Sequence, residues 1–491
     1  MIRGIWLSLS GLILLGLFST AQAFRPEGQA VTYADFQYVN YIATSMAKVY
    51  FATTDGIIVF NKLQNQWETP MTGIEGIPDV DVKQIWVDRF DQKLFAQTIT
   101  GTFSFDFAFQ RWSQTSQTPV VSSDDKHVKA PTAMFPPFGY NYNGSGILID
   151  PNARSYPFSD VVDDGSGNLW IGTWGYGAGR SSTAGLSVKL MPFGLLQNPA
   201  YSLQPDLDSV TLITGPVLNS RRTGITYFDK KDNSFSYFET GLNSEFPLVD
   251  INCLESDSAS IYAGTPQGIY VISRANQQVS RRIDRRNGLA DDNVLCLKRW
   301  GDSLFIGTVG GVTALICHND SMVYVGRQQF YDQAVYDLDV VDNYLWIASA
   351  IGAFRVSFET GKIQQYKDPD AVLVDRAYAV RHSGNFLWLA SDIGLVRIDL
   401  QTGTTEPFLV TSHQFDGRAL AVNDKVAAVS SDRGLTLIFH NRDNPVIRDF
   451  GTEDGLASAF VYSLLLDGDY LWVGTDRGVT KFWWNNPRRI D

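Results

Sequence analysis

A site in this 491-residue chain would be built from five histidines, three cysteines and 52 acidic residues. His127, His318, His382, His413 and His440 are scattered, without the short spacing that metal ligands need. Cys317 and His318 are adjacent, so on a strand their side chains point to opposite faces and do not chelate. Asp163-Asp164-Gly165-Ser166-Gly167-Asn168-Leu169-Trp170 has the look of a calcium loop or a sialidase-type Asp-box. No acidic ligand stands twelve positions on, where Trp174 and Gly175 lie, so a structural turn is expected. A nucleophile elbow, a phosphate loop and a dinucleotide fingerprint are all missing from the sequence. The expectation is no cofactor, no metal and no catalytic residue, although paired carboxylates leave no linear motif. Binding chemistry is concentrated instead in aromatics among glycines. Trp174-Gly175-Tyr176-Gly177-Ala178-Gly179-Arg180 is one such run, and Phe135, Phe138, Tyr140, Tyr142 and Tyr156 lie upstream. Such side chains stack on sugar rings or accept a peptide, which makes Trp174, Tyr176, Arg180, Tyr140 and Tyr142 the candidate binding residues. The plainer reading is that this region packs down on the fold and covers one sheet end.

The elements that must carry these residues repeat. Tyr470-Leu471-Trp472-Val473-Gly474-Thr475-Asp476-Arg477-Gly478 has relatives ending at Gly268, Gly311, Gly352 and Gly394, and weaker ones at Gly56, Gly101 and Gly434. In each the glycine follows an aromatic or alanine position by six residues. The last five intervals are 43, 41, 42, 40 and 44 residues, the period of β-propeller blades. Each unit reads as four strands. A first strand begins eleven residues before the aromatic, as at Ile251, Val294, Val335, Ala377 and Val461. The second strand holds the Leu-Trp-Ile run, and the shared glycine needs φ > 0 in the turn to the third. Cys253, Cys296, Asp337, Ala379 and Ser463 share one inner-strand position, where crowding around an axis favours small side chains. The second-strand aromatics are expected to pack between neighbouring blades.

A clear further repeat covers Ser159–Thr173 and a degenerate one lies within Ser209–Phe238, which makes about ten four-stranded blades. Residues 113–156 fit no repeat and read as an insertion on one face. The last repeat stops short of a fourth strand, while Ala30–Phe36 precedes the first repeat without a blade of its own. That N-terminal strand is expected to complete the last blade and close a single ring, with two smaller rings as the alternative.

Met1–Ala23 reads as a secretory signal, with Arg3, an apolar run from Ile5 to Phe18, and Ala21 and Ala23 at the cleavage site. The domain plan is therefore signal peptide 1–23 and propeller 24–491. No later stretch is long and apolar enough to span a bilayer, so a soluble periplasmic or extracellular protein is expected. The formal net charge of −12 argues against nucleic-acid and anionic-membrane partners. Three cysteines make no disulfide framework, and Cys253 and Cys296 read as buried free thiols. Arg281, Arg282, Arg285 and Arg286 flank Asp284 and are expected on a blade edge, blunting it.

At its Leu-Trp-Ile-Gly-Thr-x-x-Gly-Val core the chain resembles the two-component-regulator propeller repeats. These also carry a Gly-Leu step before the first strand, present here as Gly288-Leu289, Gly455-Leu456, Gly76-Ile77 and Gly241-Leu242. In that family such propellers commonly form periplasmic sensor halves of hybrid histidine kinases that respond to polysaccharide breakdown products. No kinase, receiver or transmembrane segment occurs in these residues, so signalling by this chain alone is not expected. The resemblance implies the fold and a noncatalytic recognition role, for a carbohydrate or a partner protein, as a stand-alone sensor component. The alternative is a polysaccharide lyase or glycoside hydrolase with carboxylates at the propeller axis.

Overall fold

The computed structural model describes residues 30–486 apart from 89, 91, 118–119, 121–125, 208–209, 218–221, 242–244, 368–375, 392, 410–414 and 442–443. The segment 1–23 read as a signal lies outside the described residues, as does Leu242 of one Gly-Leu step. The described chain is all-β and arranged in ten antiparallel sheets, numbered here in chain order. Their first strands are Val39–Thr44, Gln84–Val87 and Ser155–Asp163 for sheets 1–3. For sheets 4–7 they are Ser202–Pro205, Cys253–Ser256, Val294–Trp300 and Val335–Val341. Those of sheets 8–10 are Ala379–Ser383, Phe415–Val422 and Val461–Asp467. Nine of the sheets have four strands. The third has seven, because Lys126–His127, Asn141–Tyr142 and Ile147–Ile149 join it. The segment expected as a separate insertion thus begins inside the last strand of sheet 2 (Arg111–Gln114), ends inside the first strand of sheet 3, and builds that sheet outward.

The repeated glycine behaves as its position demands. Gly56, Gly101, Gly268, Gly311, Gly352, Gly434 and Gly478 all have φ between 106° and 140° and each opens a third strand. The preceding Thr or Ser is the other half of the turn. The Thr475 hydroxyl donates to the Gly478 carbonyl at 2.9 Å and accepts the Arg477 N–H at 3.2 Å. Thr53, Thr265, Thr308, Ser349 and Ser391 donate in the same way. A fully buried hydroxyl thereby satisfies turn groups that would otherwise be orphaned.

The first strands set the order of the sheets. Those of sheets 4 to 10 lie side by side in sequence, and that of sheet 4 returns against that of sheet 10. Those of sheets 2, 1 and 3 form a separate row, with sheet 1 in the middle. This is not the order of a single ring of ten. The N-terminal strand is where it was expected: Ala30–Tyr33 pairs antiparallel with Gly478–Trp483, Ala30 opposite Phe482 and Tyr33 opposite Val479. Sheets 1–3 are therefore inserted between this strand and sheet 4. The two chain crossings are bonded together, Leu195 N–H to Ala34 O at 2.8 Å and Gln37 Nε2 to Leu196 O at 2.7 Å. Gly194 faces Ala34 so closely that a Cβ would lie 2.5 Å from its carbonyl oxygen. At this crossing the chain leaves sheet 10 and returns beside it.

Neighbouring first strands are not hydrogen-bonded as ladders, so side chains bridge them. Asn40 Nδ2 donates to Val82 O at 2.9 Å and Asn252 Nδ2 to Val294 O at 2.8 Å. At the shared small position, Asp337 Oδ2 accepts the Val380 N–H at 2.9 Å and Ser463 Oγ donates to Ala200 O at 2.9 Å. The three cysteines are free, with Cys296 buried and directed at Val335 O. Trp170, Trp388 and Trp472 are fully buried. Trp472 packs on Tyr33 of its own sheet and on Phe228 of sheet 4, 5.3 Å between the latter ring centroids.

Candidate functional site

The aromatics singled out in the sequence divide into a buried set and an exposed edge. Tyr176 is buried with Leu148 and Tyr156, and Tyr140 packs edge-on against it at 6.0 Å. The Arg222 guanidinium, also buried, lies 4.2 Å from the Tyr176 ring centroid and 5.1 Å from that of Tyr237. Arg222 donates to Glu239 Oε1 at 2.5 Å and to Gln37 Oε1 at 3.1 Å. Glu239 also takes Arg154 at 2.6 Å, and Arg154 and Tyr156 converge on Asp150 at 2.7 and 2.8 Å. Paired this way, the Glu239 carboxyl stays below its ordinary pKa although burial opposes it. This network joins the outgrowth of sheet 3 to sheet 4. Tyr142 donates to Pro131 O at 2.6 Å and stacks on Phe158. Arg180 lies over the Trp170 ring and reaches Asn65 at 3.3 Å. Trp174 remains 37% exposed, edge-on to Tyr38, while Phe135 is 66% exposed and Phe138 fully so. The structure brings Tyr140 and Tyr176 together as core and leaves Trp174, Tyr142 and Arg180 apart from them. The Asp163–Trp170 loop closes on itself, Asp164 accepting from Ser166 and Asn168 N–H and from Trp170 Nε1.

A cleft of about 520 Å³ opens between the outer strands of sheets 1 and 2, touched by the Asn233 turn of sheet 4. Trp67, Phe107, Gln64, Gln66 and Gln110 line it, along with Glu68 and Glu75. Glu68 accepts from Lys48 Nζ at 2.7 Å and Asn61 Nδ2 at 2.9 Å. Glu75 accepts the Thr72 N–H at 2.7 Å, and burial pushes its carboxyl up to about 7. Asn233 Oδ1 holds the Tyr33 hydroxyl at 2.9 Å, so the cleft wall is tied to the N-terminal strand. Its volume, and amides beside the exposed Phe107 ring, make the cleft ligand-sized. Sequence reasoning missed these residues because Gln64 and Gln110 sit in hairpin turns and Gln66 in a two-residue outer strand, none of them at a position the repeat pattern marks.

A second missed set lines the first strands of sheets 4–8. Asp339 bridges Lys298 Nζ at 2.8 Å and His382 Nδ1 at 2.6 Å, and also accepts the His382 N–H. Burial opposes its ionisation, but these partners hold its carboxyl at about 2. Arg381 pairs with Asp337. Glu255 takes Gln204 Nε2 at 3.0 Å, and burial raises its carboxyl to about 7. Asp337, Asp339 and Glu255 all hold a neighbouring sheet in place.

No family model and no curated protein matches this chain. Solved structures do. PorZ of Porphyromonas gingivalis aligns with a TM-score of 0.50 at 14% identity, over 92% of this chain and 69% of that one. The extracellular domain of BT4673 from B. thetaiotaomicron, described as a hybrid two component system, gives 0.48 at 14% identity, over 92% and 70%. At such identity the likeness to PorZ is one of fold alone, and it agrees with the sheet architecture. No helix among the described residues is long and apolar enough to cross a membrane.

Proposed function

We propose that this is an exported, noncatalytic β-propeller protein that recognises a carbohydrate in the cleft between sheets 1 and 2. Sheets 4–10 form a seven-bladed ring completed by Ala30–Tyr33, and sheets 1–3 a smaller unit held against it. The carrying observation is the cleft itself: the exposed Phe107 ring stands beside the amides of Gln64, Gln66, Gln110 and Asn233, with Trp67, itself packed on Phe60 and Phe193, in the wall. Amides match sugar hydroxyls as both donors and acceptors, and aromatic faces take the C–H side of a ring. Engagement of the axial carboxylates in inter-sheet bonds supports a noncatalytic role there. PorZ is described as a bacterial surface component, and BT4673 supplies an extracellular domain, which supports export. The exposed Phe135 and Phe138 with Trp174 support the partner-protein side of the reading. A hydrolase is the second reading. It is favoured by Glu75, whose carboxyl at about 7 suits a general acid, with Glu68 in the same cleft. An oligosaccharide array followed by calorimetry tests both. Phe107→Ala should weaken the bound glycan by about 1–3 kcal/mol, the range for a truncated aromatic anchor. Binding unchanged in that variant refutes the cleft, and release of reducing sugar lost in Glu75→Gln would establish the hydrolase.

A further inference from the structure

The same kind of connecting turn occurs before sheets 2, 6 and 10, which gives an internal comparison. The turns are Gly73–Glu75, Arg285–Asn287 and Thr452–Asp454, each ended by a left-handed glycine. The first holds Glu75 and the third Glu453 and Asp454, whereas the middle one holds Arg285 and Arg286. The connection after sheet 6 also departs from the pattern, with a short helical turn Arg327–Phe330 and then Tyr331. Between these two exceptions lies a cavity of about 180 Å³, lined by Arg285, Gly310, Gly311, Tyr324, Arg327 and Tyr331.

The Arg327 guanidinium sits 5.0 Å from the Tyr324 ring centroid and pairs with no carboxylate among the described residues. Arg285 pairs with Asp291 at 3.3 Å, its own side chain mostly exposed, and its backbone N–H donates to Asp292 Oδ1 at 2.8 Å. Tyr331 is 72% exposed, while Phe330 beneath it is buried against Phe354. Arg327 thus brings an unpaired guanidinium, and Arg285 one shared with Asp291, to a single cavity on a chain of net charge −12. The edge-blunting role expected for this basic run fits Arg281, which pairs with Asp320 at 2.7 Å, but not Arg285. The cavity is smaller than the roughly 300–1,000 Å³ of drug-sized sites, so it suits one ring. Guanidiniums pair with carboxylate and sulfate through parallel N–H bonds, and an exposed tyrosine supplies a face for the ring.

We infer that this cavity above sheet 6 is a second binding site, for an acidic saccharide unit. A single ring carries a carboxylate or sulfate; Arg285 and Arg327 take the anion and Tyr331 the ring face. The site is separate from the cleft and does not depend on it. Saturation-transfer NMR and calorimetry on the purified chain with sodium glucuronate, glucose 6-sulfate, glucose and inorganic sulfate test it. Glucuronate or glucose 6-sulfate should bind and glucose should not. Arg285→Gln and Arg327→Gln should each lower affinity at least tenfold. Tyr331→Ala should weaken the sugar but not inorganic sulfate, and Phe107→Ala, which weakens glycan binding in the cleft, should leave the affinity for glucuronate and glucose 6-sulfate at this cavity unaltered. All four positions are exposed, so melting temperatures should hold. Absence of binding by both acidic sugars, or binding unaltered in Arg327→Gln and Arg285→Gln, overturns the site. Sulfate that matches the sugars, with Tyr331→Ala silent, overturns the saccharide and leaves a plain anion site. Loss of binding in Phe107→Ala overturns its independence from the cleft.

Discussion

Replacing Gly478 with alanine should do more than strain one turn. At φ 120° the backbone is in a region that non-glycine residues occupy at a cost of about 1–3 kcal/mol. The new Cβ would also lie 2.4 Å from the carbonyl oxygen of Tyr33 and 3.1 Å from Cα of Ala34. Both are backbone atoms of the N-terminal segment, so relief requires that segment to leave its partner. Each lost strand hydrogen bond is worth about 0.5–1.5 kcal/mol net, so the variant should cost about 3–6 kcal/mol. Gly468 is the control. It too has positive φ, 60°, but nothing lies within 4 Å of its Cβ position. Gly468→Ala should therefore cost only about 1–2 kcal/mol. Chemical denaturation of both variants measures the difference. Repeating Gly478→Ala in a chain truncated through Tyr33 completes a double-mutant cycle, in which the penalty should shrink to the conformational part. Equal costs at 478 and 468, or an undiminished penalty in the truncated chain, would refute the assignment of Tyr33 as the obstacle.

Stability should also fall as pH rises. Burial, and then the charge of Asp55, lift the Asp35 carboxyl to about 8, and burial lifts Asp55 itself to about 6. With Glu75 and Glu255 at about 7, the folded chain keeps protons that the unfolded chain releases above about pH 4, so each step toward pH 8 favours unfolding. Asp339, held at about 2, acts oppositely and loses its contribution below about pH 4, which puts the melting maximum near pH 5. A melting curve flat from pH 5 to 8, or a slope unaltered in Asp35→Asn, contradicts this. Tyr176→Ala should cost about 3–5 kcal/mol, as for other large aromatics removed from a core, while Trp174→Ala should cost about 0.5 kcal/mol or less; thermal melts that rank them the other way would show the Arg222 network to be dispensable.

The repeat was legible because one buried pattern recurs with one backbone requirement, from Gly56 to Gly478. Pairing of Ala30–Tyr33 was legible from an unmatched strand at one end and a short blade at the other. The grouping of sheets was not, because every blade edge has the same chemistry. What decides it is a handful of crossing residues, Ala34–Gln37 and Gly194–Asn198, that obey no period. That Tyr140 and Tyr176 are core was not legible, because Arg222, the buried guanidinium that packs on Tyr176, lies in the degenerate fourth repeat. The cleft and the basic cavity combine turns from different repeats, and only folding brings Gln66, Gln110 and Asn233 to one place.

Thr32 and Thr480 meet across 448 residues of chain. A ribosome delivers Ala30 first and Trp483 last, so the third strand of sheet 10 finds a partner that has waited through the synthesis of every other sheet. Closing so long a loop is entropically slow, and it cannot begin early. Any product broken off before Gly478 lacks the strand that Ala30–Tyr33 must join and keeps an exposed edge. An incomplete copy should therefore be cut by protease faster than the full chain, because its edge stays unpaired.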